Sequence, residues 1–162
     1  DPAHACLNTA IAIKAGLLYK YYEFTILSGM SNPDHDKIVE LLKNLPNTTV
    51  QRHCSDMPDL FSKIDYAIGA AGGMNTERNV AGIPSIVVEI ADNQKGVCDL
   101  IRKYNLGECL KVSELKDPTL VNATLQKLSA NRSIYTHNCQ KLYSKNGILN
   151  VVKRIKELLT ID

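Results

Sequence analysis

Apolar positions along the chain follow two alternating periods. Short runs rich in β-branched residues separate stretches where apolar residues recur every three to four positions. Asp1-Pro2 supplies an N-cap followed by proline at the first helical position, and Leu7, Ala10, Ile11, Ala15 and Leu18 form a stripe interrupted by Lys14. Phe24-Thr25-Ile26-Leu27 reads as a buried strand ending at Ser28-Gly29. Asn32-Pro33 opens a helix with Ile38, Leu41, Leu42 and Leu45 on one face. Thr48 to His53 predicts the next strand, and Asp56 caps a short helix carrying Met57, Leu60, Phe61 and Ile64.

The alternation continues. Tyr66-Ala67-Ile68 is a strand, Gly69-Ala70-Ala71-Gly72-Gly73 a loop, and a short helix runs to Ala81, where Gly82 stops it. Ser85 to Ile90 is the strongest strand signal. Val97, Leu100, Ile101 and Tyr104 mark a helix, and Cys109 to Val112 a last strand. Asp117-Pro118 opens the first of about three C-terminal helices, the last carrying Ile148, Val151, Val152, Ile155 and Leu159. This order predicts an α/β fold: a Rossmann-like, doubly wound parallel sheet with helices on both faces and right-handed crossovers. A doubly wound sheet normally starts with a strand, whereas these elements start with a helix. The expectation is a single domain over 1–162 whose first strand and following loop lie upstream.

Composition narrows the classes. With 162 residues the chain suits one domain. Charged residues at 22% and hydrophobic ones at 44% exclude a disordered, collagen-like or disulfide-scaffold chain. Nineteen Lys and Arg against 17 Asp and Glu leave a net charge of +2, which gives no basic stripe for nucleic acid. Cys6, Cys54, Cys98, Cys109 and Cys139 are odd in number, widely spaced and without a C-x-x-C pair, which argues against a disulfide framework and a zinc site. Free thiols suit a reducing, cytoplasmic setting. No apolar run reaches the roughly 18 residues of a membrane span. No metal and no bound cofactor is expected.

Ligands of open α/β sheets bind beyond the carboxyl ends of the strands. Those loops are Ser28 to Asn32, His53 to Met57, Gly69 to Thr76, and Ile90 to Gln94. Glycines between a strand and a helix let a backbone approach a phosphate or sugar, and they equally suit a tight packing turn. Glu77, in the first turns of the following helix, is able to accept two hydrogen bonds from a vicinal diol; it also suits stabilisation by the helix N-terminus. Ala91-Asp92-Asn93-Gln94 places three polar side chains at the end of the strongest strand, where they read sugar hydroxyls or cap the next helix. Glu89 lies 20 positions after Gly69, as the ribose-binding acid of a dinucleotide fold would, but G-x-x-G-G is not G-x-G-x-x-G. Arg78 pairs with Glu77 or Asp65, or meets a phosphate. His4, His35, His53 and His137 sit in no motif that nominates a base, and Tyr19, Tyr21 and Tyr22 read as packing residues.

Taken together, Gly69-Ala70-Ala71-Gly72-Gly73-Met74, Glu77-Arg78, Gly82-Ile83-Pro84 and Ala91-Asp92-Asn93-Gln94, in this order, resemble the C-terminal nucleotide-sugar-binding domain of glycosyltransferase-B-type proteins. The nearest likeness is to the UDP-sugar hydrolases of pseudaminic acid synthesis (PseG type) and to spore-coat polysaccharide proteins (SpsG type). The resemblance runs from Asp1 to about Gly107. It implies that Glu77 holds the uridine ribose, that Gly72, Gly73 and Met74 line the diphosphate through backbone N–H groups, and that Cys54, just before Ser55-Asp56-Met57, contacts uracil through its backbone, with Met57 part of the same nucleotide-sugar site. Asn93 and Gln94 would approach the donor sugar, and Gly29 would form the cleft floor. Relatives often carry small hydroxyl residues where this chain has Gly73 and Met74, so a side-chain hydroxyl contact to phosphate is not expected. Relatives also place a Gly-Gly-Ser-type loop before the first helix and the catalytic histidine in an N-terminal domain. The resemblance therefore implies the UDP-sugar-binding half of an enzyme in bacterial surface-carbohydrate synthesis, a hydrolase or a glycosyltransferase. This chain would carry no catalytic residue of its own and would be inactive alone. A non-catalytic nucleotide-sugar-binding module is the third reading.

Overall fold

A computed structural model describes residues 3–143 and 146–159. All strand pairs are parallel. β1 (Phe24–Leu27) pairs with β2 (Thr48–Gln51), and β3 (Ala67–Ala70), β4 (Ser85–Glu89) and β5 (Gly107–Lys111) form a second ribbon in that order. The helices are α1 (Ala5–Ala15), α2 (His35–Leu42), α3 (Met57–Lys63), α4 (Gly73–Val80), α5 (Lys95–Tyr104), α6 (Pro118–Ala130), α7 (Arg132–Leu142) and α8 (Gly147–Leu159). The sequence-predicted Rossmann-like alternation is therefore present, and one helix follows each of β1 to β4.

β4 shows why the fold has two helical layers. Its register alternates Ile86 and Val88 toward one face and Val87 toward the other, and all three are essentially fully buried. Ile86 and Val88 pack with Leu110, with Ile13 of α1, and with Val121, Leu125 and Leu128 of α6. Val87 packs with Ala71, Cys98, Ile101, Leu106 and Cys139 of the α5–α7 side. A strand covered on both faces is apolar at consecutive positions, which is why Ile86-Val87-Val88 makes Ser85 to Ile90 the clearest strand signal in the chain. A third cluster, Ala10, Ile26, Ile38 and Leu42, joins α1 and α2 to β1. Phe24 touches both the first and third clusters, so α1 rests on both ribbons.

Polar contacts fasten the layers. Glu108 of β5 accepts from Tyr135 at 2.5 Å and from Lys127 at 2.9 Å. Thr136 donates to the Gly82 carbonyl at 3.0 Å, and Gly82 adopts φ +73°, as a helix-terminating glycine does. Asp56 accepts from the Asp59 amide at 2.9 Å, and Asp117 from the amides of Thr119 and Leu120, so both expected caps are present.

Four expectations differ from the structure. Residues 1 and 2 lie outside the described residues, and the N-cap of α1 is His4 in the left-handed region. The buried face of α1 is Ala10, Ala12 and Ile13, whereas Ile11 is exposed; Leu18 is buried, but in the 3-10 turn Leu18–Lys20. A helix apolar nearly all round has no unique stripe, so periodicity placed Ala10 and Leu7 against the core but missed Ala12 and Ile13. α5 buries Cys98 and Ile101 and exposes Leu100 and Tyr104. Ile148, Val151, Val152, Ile155 and Leu159 of α8 all face solvent, and so does Tyr21.

Ile86→Ala removes a fully buried side chain from the middle of the sheet and is expected to cost about 2–5 kcal/mol in chemical denaturation. Ile148→Ala, at 81% exposure, is expected to stay within about 0.5 kcal/mol of the parent.

Candidate functional site

Because every strand pair is parallel, all strands end at one edge of the layer, and the sequence-predicted residues gather along that edge. After β1, Gly29 adopts φ +92° and is exposed, while Ser28, Asn32 and Asp34 are buried. Asn32 donates to the Ser28 carbonyl and its Oδ1 accepts from the Asp34 amide, both at 2.9 Å. Ser28 Oγ is hydrogen-bonded to His35 Nδ1 at 2.7 Å. The Asp34 carboxylate is bonded to His4 and to Lys37 Nζ at 3.0 Å, and these two hydrogen bonds hold it below its ordinary pKa of 3.8. This polar turn was missed in the sequence because its members are scattered turn formers without a repeat.

After β2, half-buried Cys54 donates to the Asp56 carbonyl at 3.2 Å, and Met57 begins α3. After β3, the expected five-residue loop shrinks. Gly69 and Ala70 belong to β3, Gly72 is the N-cap of α4, and Gly73 is its first residue. A Cβ at Gly72 or Gly73 would meet nothing within 4 Å, and Gly72, Gly73 and Met74 are exposed, so the start of α4 lies at the surface. Met74 and Glu77 are exposed beside them, and the i, i+3 and i, i+4 spacings put Gly73, Met74 and Glu77 on one side of α4.

The opposite side of α4 is polar and buried: Asn75, Arg78 and Asn79, again at i, i+3, i+4. Arg78 Nη2 donates to the Ala70 carbonyl at 3.1 Å and approaches Asn75 Oδ1 at 3.5 Å. Its guanidinium lies over Gly69, where a Cβ would come within 2.7 Å of Nη1, so the first glycine of the loop makes room for arginine and not for a ligand. Burial lowers its pKa to about 10, against the opposing charge of Glu77. Neither expected partner holds Arg78, since Asp65 binds Arg132 at 2.6 Å. Nor does it face a phosphate, because it points at the sheet. Arg78 Nε and Asn79 Nδ2 are buried without a hydrogen-bond partner among the described residues. The i, i+3, i+4 polar spacing was visible in the sequence as the signal for this face.

After β4, Asn93 is exposed within the 3-10 turn Asp92–Gln94, and Gln94 Oε1 accepts from the Ile90 amide at 3.0 Å. Gln94 thus braces its own loop and keeps its amide nitrogen as a donor. A cavity of about 370 Å³ lies to one side, lined by His4, Asp34, Lys37, Ser113 and Lys116 among others, and none of the sequence-predicted residues lines it. Among the described residues no cluster of His, Cys, Asp and Glu is suited to a metal ion, and no helix is long and apolar enough to cross a membrane.

Comparison with known proteins places this geometry. The chain belongs to the family described as "Protein of unknown function (DUF354)", whose profile matches residues 6–144. A search of curated proteins gives no match. Among solved structures, MurG of Acinetobacter baumannii is similar with a TM-score of 0.72 at 19% identity, covering 92% of this chain. This chain spans only 46% of that one. The likeness shows the fold, a Rossmann-like parallel α/β unit with helices.

The Asp34 hydrogen bonds make a prediction about acid stability. A carboxylate whose folded pKa is depressed adds stability above its unfolded pKa and loses it as pH falls through the folded value. Denaturation of the parent is therefore expected to show stability declining as pH drops below about 4, and Asp34→Asn is expected to flatten that decline.

Proposed function

We propose that this chain is the UDP-sugar-binding half of a two-domain enzyme that cleaves the bond between the sugar and its diphosphate. The observation that carries this reading is the open side of α4, where exposed Gly72, Gly73 and Met74, with free space beside both glycines, precede exposed Glu77 on the same side of the helix. Helix-start amides bind phosphate oxygens without any basic side chain. A carboxylate one turn further along accepts hydrogen bonds from a ribose diol. Cys54 and Met57 stand beyond the carboxyl end of β2, where a base would lie, with Gly29 on the floor and Asn93 and Gln94 toward the sugar. The net charge of +2 agrees with recognition by amides and one acid.

In this role the domain positions the donor and stabilises the diphosphate as it leaves. The general base comes from an N-terminal domain of the parent protein. The resemblance of the Gly-Gly-Met, Glu-Arg and Ala-Asp-Asn-Gln series to the PseG-type hydrolases supports hydrolysis: water attacks the sugar, its proton passes to that base, and UDP and a free modified hexose depart. Such a hexose would feed nonulosonic acid or other bacterial surface-carbohydrate synthesis in the cytoplasm. The fold likeness to MurG favours the second reading, transfer to an acceptor.

Calorimetry with millimolar UDP is expected to show weak binding to this chain. Glu77→Ala is expected to weaken it about tenfold or more, the loss of charge-assisted hydrogen bonds. Absence of heat with UDP, tighter binding of NAD, or an inert Glu77→Ala overturns the assignment. With the parent protein, a free sugar product marks a hydrolase and a glycosylated acceptor marks a transferase.

A further inference from the structure

We propose that Arg78 is the charge that tunes the α4 start to a diphosphate: its buried guanidinium has no carboxylate partner, and a bound phosphate group serves as the missing counter-ion, a role that rests on the phosphate reading of that site. Arg78 touches no ligand in this account. It is a positioning residue that acts through the field behind the helix.

The fold does not neutralise this charge. The chain has five arginines, and four of them pair at the surface: Arg52 with Asp36, Arg102 with Asp99, Arg132 with Asp65 and Arg154 with Glu157. Arg78 is the buried one, at 5% exposure, and it belongs to no ion pair among the described residues. Burial lowers its pKa to about 10, opposed by the neighbouring charge of Glu77, so it stays a cation at neutral pH. Buried charges are ordinarily paired, because an uncompensated one is costly to desolvate.

Bracing the fold does not account for the charge. A guanidinium offers five N–H donors. Arg78 uses Nη2, on the Ala70 carbonyl at 3.1 Å and near Asn75 Oδ1 at 3.5 Å, while Nε is buried without a partner. Gly69 forgoes a side chain to admit Nη1. A neutral amide donor would hold the Ala70 carbonyl at a smaller desolvation cost.

The position supplies the use. Helix side chains lean toward the N-terminus, and Arg78 reaches back past Asn75 to Ala70, the end of β3, two residues before Gly72. The guanidinium therefore lies behind the start of α4, where the helix already presents about half a positive charge. Amides make the contacts, and the cation behind them strengthens their hold across a water-poor interior. It also resolves a conflict. Glu77 beside a diphosphate brings like charges together, and a fixed cation next to Glu77 offsets the repulsion.

Asn75→Asp tests this, because it sets a carboxylate against the guanidinium and neutralises it in place while Arg78 keeps its bond to Ala70. Dissociation constants come from amide chemical-shift titrations of the 162-residue chain with UDP and with pyrophosphate. Asn75→Asp and Arg78→Gln are each expected to weaken both ligands at least about tenfold, and Arg78→Lys, which keeps the charge, to stay within about threefold of the parent. Should Arg78→Gln fail to fold, Asn75→Asp and Arg78→Lys decide. Arg78→Lys weakened at least tenfold marks a purely geometric brace and overturns the proposal. Binding by the parent that Asn75→Asp leaves within about twofold overturns the role of Arg78 alone. No binding of UDP or pyrophosphate by the parent overturns the phosphate reading of the site and this role with it.

Discussion

A parallel sheet has to cover two faces and satisfy two edges, and the rest of this structure follows from how each strand meets that demand. β4 meets it completely. Ile86 and Val88 are covered by α1 and α6, Val87 by α5 and α7, and β3 and β5 bond its edges. The outer strands meet it with polar groups; Glu108, held by Lys127 and Tyr135, fastens β5 to the helices that cover it. Among the described residues β1 pairs with β2 and β3 with β4, and α1 rests on both ribbons and joins them.

The same geometry puts the chemistry at one end. Parallel strands deliver their carboxyl ends together, so residues distant in sequence, Gly29, Cys54, Gly72, Glu77 and Asn93, share an edge without contacting one another. The division of labour on α4 follows from its contact with β3. One side, Asn75, Arg78 and Asn79, is spent on the sheet, and the other, Gly73, Met74 and Glu77, is left for solvent or a ligand. Gly69 and Gly72 look alike in sequence and do different work. Gly69 accommodates a guanidinium, and Gly72 leaves the helix start unobstructed.

Much of the fold was legible because its signals are local. Asp56 and Asp117 cap the helices they were expected to cap, Gly82 ends α4, and the consecutive apolar residues Ile86, Val87 and Val88 mark the central strand. What failed was the choice of face where the pattern is degenerate. In α1 alanine and isoleucine surround the helix. In α5 Cys98 competes with Leu100 for the core. In α8 a well-formed apolar stripe specifies a face and says nothing about what covers it. The candidate loops were legible, since ligands of doubly wound sheets bind beyond the carboxyl ends of the strands, but side-chain direction was not. Arg78 turns inward because a long flexible cation next to a glycine strand finds a backbone acceptor in Ala70, a choice set by tertiary packing.

The central claim is that a uridine nucleotide lies across the start of α4 along the carboxyl edge. Mapping amide chemical shifts of this chain during titration with UDP tests it most directly. The account predicts changes centred on Gly72, Gly73, Met74 and Glu77, extending to Cys54 and Met57, while β5 and α6 stay still. Changes confined to the His4, Asp34 and Lys37 cavity, or no change at millimolar UDP, would contradict it.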